Sequence, residues 1–376
     1  MAAPTSPPNI TVASSAPAVP ATRSGRLVAL DAWRGVTILL MLLVNNAMLG
    51  SATPAQLQHA PWGGGVHLAD LVFPWFLFCA GTALPFSLAA ARGAGLTGAR
   101  LVGKLLSRAA LLFLVGCFLV SVVQHSLFLG LGVLQLIALA SLLGGLTGAL
   151  PLWWRLALAL GLLLGYDTLI RFVPLPDGSV GVFQEGRSIL HHLNETILEP
   201  LGLRGLLSVI PTGALVLLGS VAGELTRCAD AARRLLVFGA LLTVLGVAWA
   251  AVLEFNKPFW TPSYIVFSAG LGVLGLLACF LVGDRARRGV WLTPFVWAGR
   301  NALFAYVAPI LFKTWILQDW QVNWIGKPAS LQDSLLAFSR AQFGAVGGGW
   351  LYTLGYIALC WLALGWLARR KMYWKL

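Results

Sequence analysis

The stretch NNAMLGSATPAQLQHAPWGGGVHLADLVFPWFLF, residues 45–78, decides how this chain is read. It sets two asparagines (Asn45, Asn46), two histidines (His59, His67) and one acid (Asp70) between two apolar runs, 27–49 and 70–91. Each run is long enough to cross a bilayer, which takes about 20 mostly apolar residues. Ionisable groups at membrane depth are costly, so a cluster of them at the ends of two spans marks a functional site by default.

The rest of the chain agrees with a membrane reading. Of its 376 residues, 58% are hydrophobic and only 10% charged. A soluble domain carries about 25% charged residues. The expected fold is an all-α polytopic membrane helix bundle with about 10 spans. The runs are 27–49, 70–91, 103–122, 127–149, 152–172, 204–225, 233–255, 262–282, 291–315 and 347–368. Gly299-Arg300-Asn301 interrupts the ninth. Stretches 173–203 and 316–346 read as long loops. Residues 1–22, rich in Ala, Pro, Ser and Thr, read as a disordered tail. Residues 23–376 then form one transmembrane domain.

The net charge is +13, with 26 Lys and Arg against 13 Asp and Glu. In a soluble protein that would suggest nucleic acid. Here the cations fall in short segments between apolar runs, which is the positive-inside bias. Placing both termini in the cytoplasm leaves only Arg171, Arg187, Arg204, Lys257, Lys313, Lys327 and Arg340 outside. All five histidines then lie towards the outer face. The expected location is the inner (plasma) membrane, with lipid as a partner and no nucleic acid. The five cysteines form no CxxC pair and suggest neither a disulfide framework nor a metal site. Apolar outer faces suit lipid or a second copy, so a homodimer stays open.

Several groups carry a structural and a functional reading side by side. Asp31 and Arg34 share a helical face and can pair; alternatively Arg34 faces a cavity and meets phosphate. His59-Ala-Pro-Trp62 runs into Gly63-Gly64-Gly65, a backbone with little helix propensity that lines a cavity or is covered by protein. Asp70 is either a helix cap or the carboxylate that orients a histidine. Gln135 glues helices or meets substrate. Arg300 meets phosphate or reaches headgroups.

These residues together resemble a known family. LeuAspAlaTrpArgGly (30–35), LeuValAsn (43–45), HisAlaProTrp (59–62) and AlaAspLeuValPheProTrpPheLeuPhe (69–78) are similar to the heparan-alpha-glucosaminide N-acetyltransferases. Weaker echoes are GlyValLeuGln (132–135), LysProPheTrpThrProSerTyr (257–264) and GlyArgAsnAlaLeu (299–303). The chain departs from the family in having Gly63 for an Asn, Leu136 for an Arg, and one extra residue between Trp62 and Asp70. The resemblance implies a transmembrane acyltransferase. It would move an acetyl group from cytosolic acetyl-CoA to an amino sugar or glycan on the periplasmic side, without a metal. It implies His59, Asn45 and Asp70 as catalytic. The accompanying expectation gives Asn46, Trp62, His67, Gln135 and Asn301 to the acceptor, and Arg34, Lys104, Arg108 and Arg300 to the coenzyme. Amide formation needs a base, and an imidazole suits neutral pH. His59 is either that base or a transient acyl carrier. The enzyme reading expects His59 in an enclosed chamber continuous with the basic inner face. The alternatives are a transporter using the same polar groups and a non-catalytic membrane partner.

Overall fold

The computed structural model describes residues 27–286, 288–323 and 328–374. The tail assigned to residues 1–22 lies outside them. Apolar composition and backbone hydrogen bonding give helices throughout, because a lipid-facing backbone must satisfy itself internally. The helices are α1 (Val28–Asn46), α2 (Leu68–Gly93), α3 (Gly98–Gln124), α4 (Val133–Thr147), α5 (Leu152–Phe172), α6 (Ile189–Leu193), α7 (Val209–Leu225), α8 (Ala231–Ala250), α9 (Pro262–Phe280), α10 (Thr293–Arg300), α11 (Ala302–Phe312) and α12 (Leu331–Arg369). The only strands among the described residues are two short hairpins, Phe183–Gln184 with Arg187–Ser188 and Gln321–Val322 with Ala329–Ser330.

Every apolar run of the sequence is helical, and the chain is an all-α polytopic bundle. Among the described residues, seven helices are long and apolar enough to span, eight if one bent pair counts as a span. The sequence suggested about ten. The difference lies in two helices. α4 has 15 residues, about 22 Å, short of the roughly 30 Å of hydrocarbon. α5 carries Arg155, Asp167 and Arg171. The bent pair breaks at Asn301 through 65°, at the Gly-Arg-Asn interruption. The stretch 316–346, expected as a loop, is helical from Leu331, and α12 is broken at Gly344, whose φ of 74° leaves the helix.

α2, α7 and α9 form the centre, with α1 against α2 and α10. Glycine permits the closest crossings. A β-carbon at Gly219 would stand 2.4 Å from the Phe78 carbonyl, and one at Gly223 would stand 2.3 Å from that of Thr82. This is the small-residue packing by which membrane helices associate. Buried charges face inward and are paired: Arg155 meets Glu224 and Ser220, and Asp167 meets Arg171 and Trp249. Trp33 and Trp75 pack at 5.3 Å between ring centres, joining α1 to α2.

Candidate functional site

α1 and α2 are joined by residues 47–67, and this connection carries His59. The run Pro61–Gly65 turns back on itself, with Gly64 N–H donating to the Pro61 carbonyl at 2.9 Å. Gly63 and Gly65 take φ of 71° and 79°. These left-handed values suit glycine. The turn brings His59 over the start of α2. Its Nδ1 lies 2.9 Å from Asp70 Oδ1.

Asp70 does two jobs at once. Oδ2 accepts the backbone N–H groups of Ala60 at 3.1 Å and His67 at 3.0 Å. It therefore caps α2 and pins the loop. Oδ1 faces the imidazole. The carboxylate is nearly buried, at 3% exposure, while the His59 ring is 57% exposed. The Tyr264 hydroxyl donates to the Asp70 backbone carbonyl and ties the pair to α9. With Nδ1 donating to the carboxylate, Nε2 keeps its lone pair for a proton.

Lys257, on the connection between α8 and α9, completes the cluster, and the sequence reading gave it no role beyond its place in the LysProPheTrp echo. Its Nζ lies 2.9 Å from His59 Nδ1, 3.2 Å from Nε2 and 3.5 Å from Asp70 Oδ1. Burial pushes its ammonium below the usual lysine value, and Asp70 opposes that shift. Only the pairing of residues 198 apart in sequence reveals it.

Trp62 packs against Phe183 at 5.2 Å and Phe259 at 5.9 Å. Phe183 and Glu254 also line an open depression of about 490 Å³ beside the His59 loop. His67 turns its ring to the Gln58 carbonyl at 3.1 Å and meets Asp70 through its backbone.

The remaining residues fall into other places. Asn45 and Asn46 line a cavity of about 340 Å³ with Lys313, Thr314, Gln318 and Tyr306, which His59 does not line. Lys313 Nζ reaches the Asn45 carbonyl at 3.4 Å, and Asn46 Nδ2 donates to Leu42 O at 2.8 Å. A second cavity, of about 370 Å³, sits near the start of α1 and is lined by Arg34, Arg108 and Arg300 together. Tyr306 and its neighbours on α11 lie between the two cavities, and Tyr306 lines both. Lys104 is exposed a turn away on α3 and lines neither.

Arg300 Nε lies 3.5 Å from Asp31 Oδ2, so the acid of α1 meets the arginine of α10. Arg34 donates to the Gly299 carbonyl at 3.5 Å. Asn301 is buried and holds the C-terminal segment: Nδ2 donates to the Met372 carbonyl at 3.1 Å, and Oδ1 accepts from Trp374 N–H at 3.2 Å. Gln135 is fully buried, with Nε2 3.6 Å from Cys117 Sγ, between α3 and α4. The enclosed chamber expected around His59 is not formed. The ring stands open because the α1–α2 connection lies beyond the helix ends. Among the described residues, no three His, Cys, Asp or Glu side chains converge as a metal site requires.

Comparison with known proteins places this geometry. A model of the catalytic region of heparan-alpha-glucosaminide N-acetyltransferase matches residues 26–246, which include His59 and Asp70 and stop short of Lys257. The human protein of that name is 24% identical over 427 aligned positions, covering 93% of this chain and 60% of the human one. The mouse protein of that name is 24% identical over 375 positions, covering 80% of this chain and 55% of its own. The chain thus spans a little over half the length of these relatives. With the family model covering more than half of it, the chain belongs to the heparan-alpha-glucosaminide N-acetyltransferase catalytic family.

Proposed function

We propose that this chain is a multi-pass N-acetyltransferase that uses acetyl-CoA on the cytoplasmic side and acetylates the amine of a sugar or glycan on the periplasmic side. The observation that carries the reading is the His59–Asp70 pair at 2.9 Å within the region matched by the family. A carboxylate that accepts the Nδ1–H hydrogen bond orients the ring and leaves Nε2 as a general base.

The three arginines of the inner cavity suit the coenzyme's phosphates, because guanidinium and phosphate form paired charge-assisted hydrogen bonds. From there Tyr306 leads to the Asn45 cavity, where Asn45, Lys313 and Gln318 stand among apolar side chains, a lining that suits the amide-bearing pantetheine arm. The exposed face of His59 suits an acceptor arriving from outside. For the two to meet, the thioester leaves the Asn45 cavity past the outer end of α1.

The amine nitrogen attacks the thioester carbonyl. The C–N bond forms, the C–S bond breaks, and the proton taken by Nε2 passes to the departing sulfur. The positive-inside bias supports placing both termini in the cytoplasm. The test is transfer of labelled acetyl from acetyl-CoA to a panel of amino sugars by membranes containing the chain. Absence of transfer to every amine offered, with coenzyme A giving no thermal stabilisation, rejects the reading.

A further inference from the structure

We propose that Lys257 is a positioning residue that keeps His59 in its neutral, proton-accepting form by offsetting the charge of Asp70. The proposal rests on His59 acting as the base, and its test below does not.

A carboxylate hydrogen-bonded to an imidazole favours the imidazolium. Asp70 is well made for that effect, because it is 3% exposed and is bonded by two backbone N–H groups. An imidazolium cannot accept a proton, so a base in this place needs the charge of the carboxylate offset. The Lys257 ammonium supplies the opposing charge. It is closer to the ring nitrogens, at 2.9 and 3.2 Å, than to the carboxylate, at 3.5 Å.

Its placement leaves the base usable. A donor in line with one ring nitrogen stands much farther from the other. The near-equal distances therefore put Nζ alongside the ring, and the Nε2 lone pair is not fully occupied. The lysine is also held in place. Asn256 takes the Phe259 N–H at 3.0 Å on Oδ1, and Thr261 Oγ1 donates to the Glu254 carbonyl at 2.9 Å and accepts from Asn256 N–H at 2.9 Å. These bonds close the backbone on both sides of Lys257.

The other titratable groups of this cluster are engaged elsewhere. Glu254, on the same connection, approaches Gly63, where a β-carbon would stand 3.8 Å from its Oε2. His67 engages the Gln58 carbonyl. Tyr264, from α9, meets only the backbone of Asp70. Among the described residues, Asp70 and Lys257 are the charged groups that contact the ring.

The experiment measures His59 directly. Diethyl pyrocarbonate attacks the neutral imidazole. Its rate at the His59 peptide, followed by mass spectrometry across pH in the detergent-solubilised full chain, gives the titration midpoint without any substrate. K257M should raise the midpoint by about one pH unit, the lower end of what a neighbouring charge imposes. K257R should leave it near wild type. The K257M/D70N double variant should return it towards wild type, because both charges are gone. An unchanged midpoint in folded K257M overturns the proposal; if K257M does not fold, a double variant that titrates unlike wild type does so. The acid limb of kcat/KM should move upward with the K257M midpoint. A labelling shift in a chain that transfers no acetyl group upholds the lysine's role and rejects the enzyme reading instead.

Discussion

A β-carbon on Gly299 would stand 1.7 Å from the carbonyl oxygen of Asp31. The reverse contact is as tight, since a β-carbon on Gly35 would stand 1.8 Å from the Phe295 carbonyl. α1 and α10 therefore cross backbone to backbone. That crossing places Arg34 and Arg300 on one cavity wall and lets Arg300 reach Asp31. G299A should force the helices apart. We expect a loss of about 1–3 kcal/mol, the usual cost of overpacking, read as a lowered melting temperature in detergent. Coenzyme A affinity should fall with it, because the arginines move apart.

The arginines can be tested separately from the crossing. R34A, R108A and R300A should each weaken coenzyme A binding roughly tenfold or more, since a hydrogen bond to a charged group contributes about 1.5–3 kcal/mol. K104A should change it less than about twofold, as expected for an exposed surface charge. Calorimetric titration of the purified chain distinguishes the two patterns. A K104A loss equal to that of R108A would place the phosphates outside the cavity.

His59→Ala should abolish acetyl transfer while leaving the melting temperature close to wild type, because the ring is more than half exposed. Asp70→Asn should differ in kind. It keeps the size of the side chain but weakens the acceptor shared by Ala60, His67 and His59. It should lower activity and also cost about 1 kcal/mol through the cap of α2. Full-rate transfer by either variant would remove the pair from the reaction.

The helices were legible in the sequence because a lipid environment leaves few alternatives, and apolar runs mark them. The His59–Asp70 contact was legible for a local reason: eleven residues and a glycine turn bring them together at one helix start. Lys257 was not, since its partner lies on another connection and nothing local marks the approach. Asn45 and Asn46, near His59 in sequence, line a different cavity. They end α1 on the face that packs towards α11 and α12, while the connection carries His59 towards α9. Asn301 looked like a polar group inside a span available to substrate. Both atoms of its amide are spent on residues 372 and 374.

Among the described residues, Tyr306 is the one shared by the linings of the arginine cavity and the Asn45 cavity. If the pantetheine arm runs past it, a larger side chain there should block the arm and spare the phosphates. Y306W should bind adenosine 3′,5′-bisphosphate, which carries no arm, with wild-type affinity. It should bind acetyl-CoA more weakly, because the arm loses its contacts beyond the ring. Transfer should fall further still, since the thioester no longer reaches the outer end of α1. Equal weakening of both ligands would mean that the tryptophan disturbs the arginine wall itself. Unaltered acetyl-CoA binding with unaltered transfer would mean that the arm takes another route, and the two cavities would then be neighbours without being joined in function.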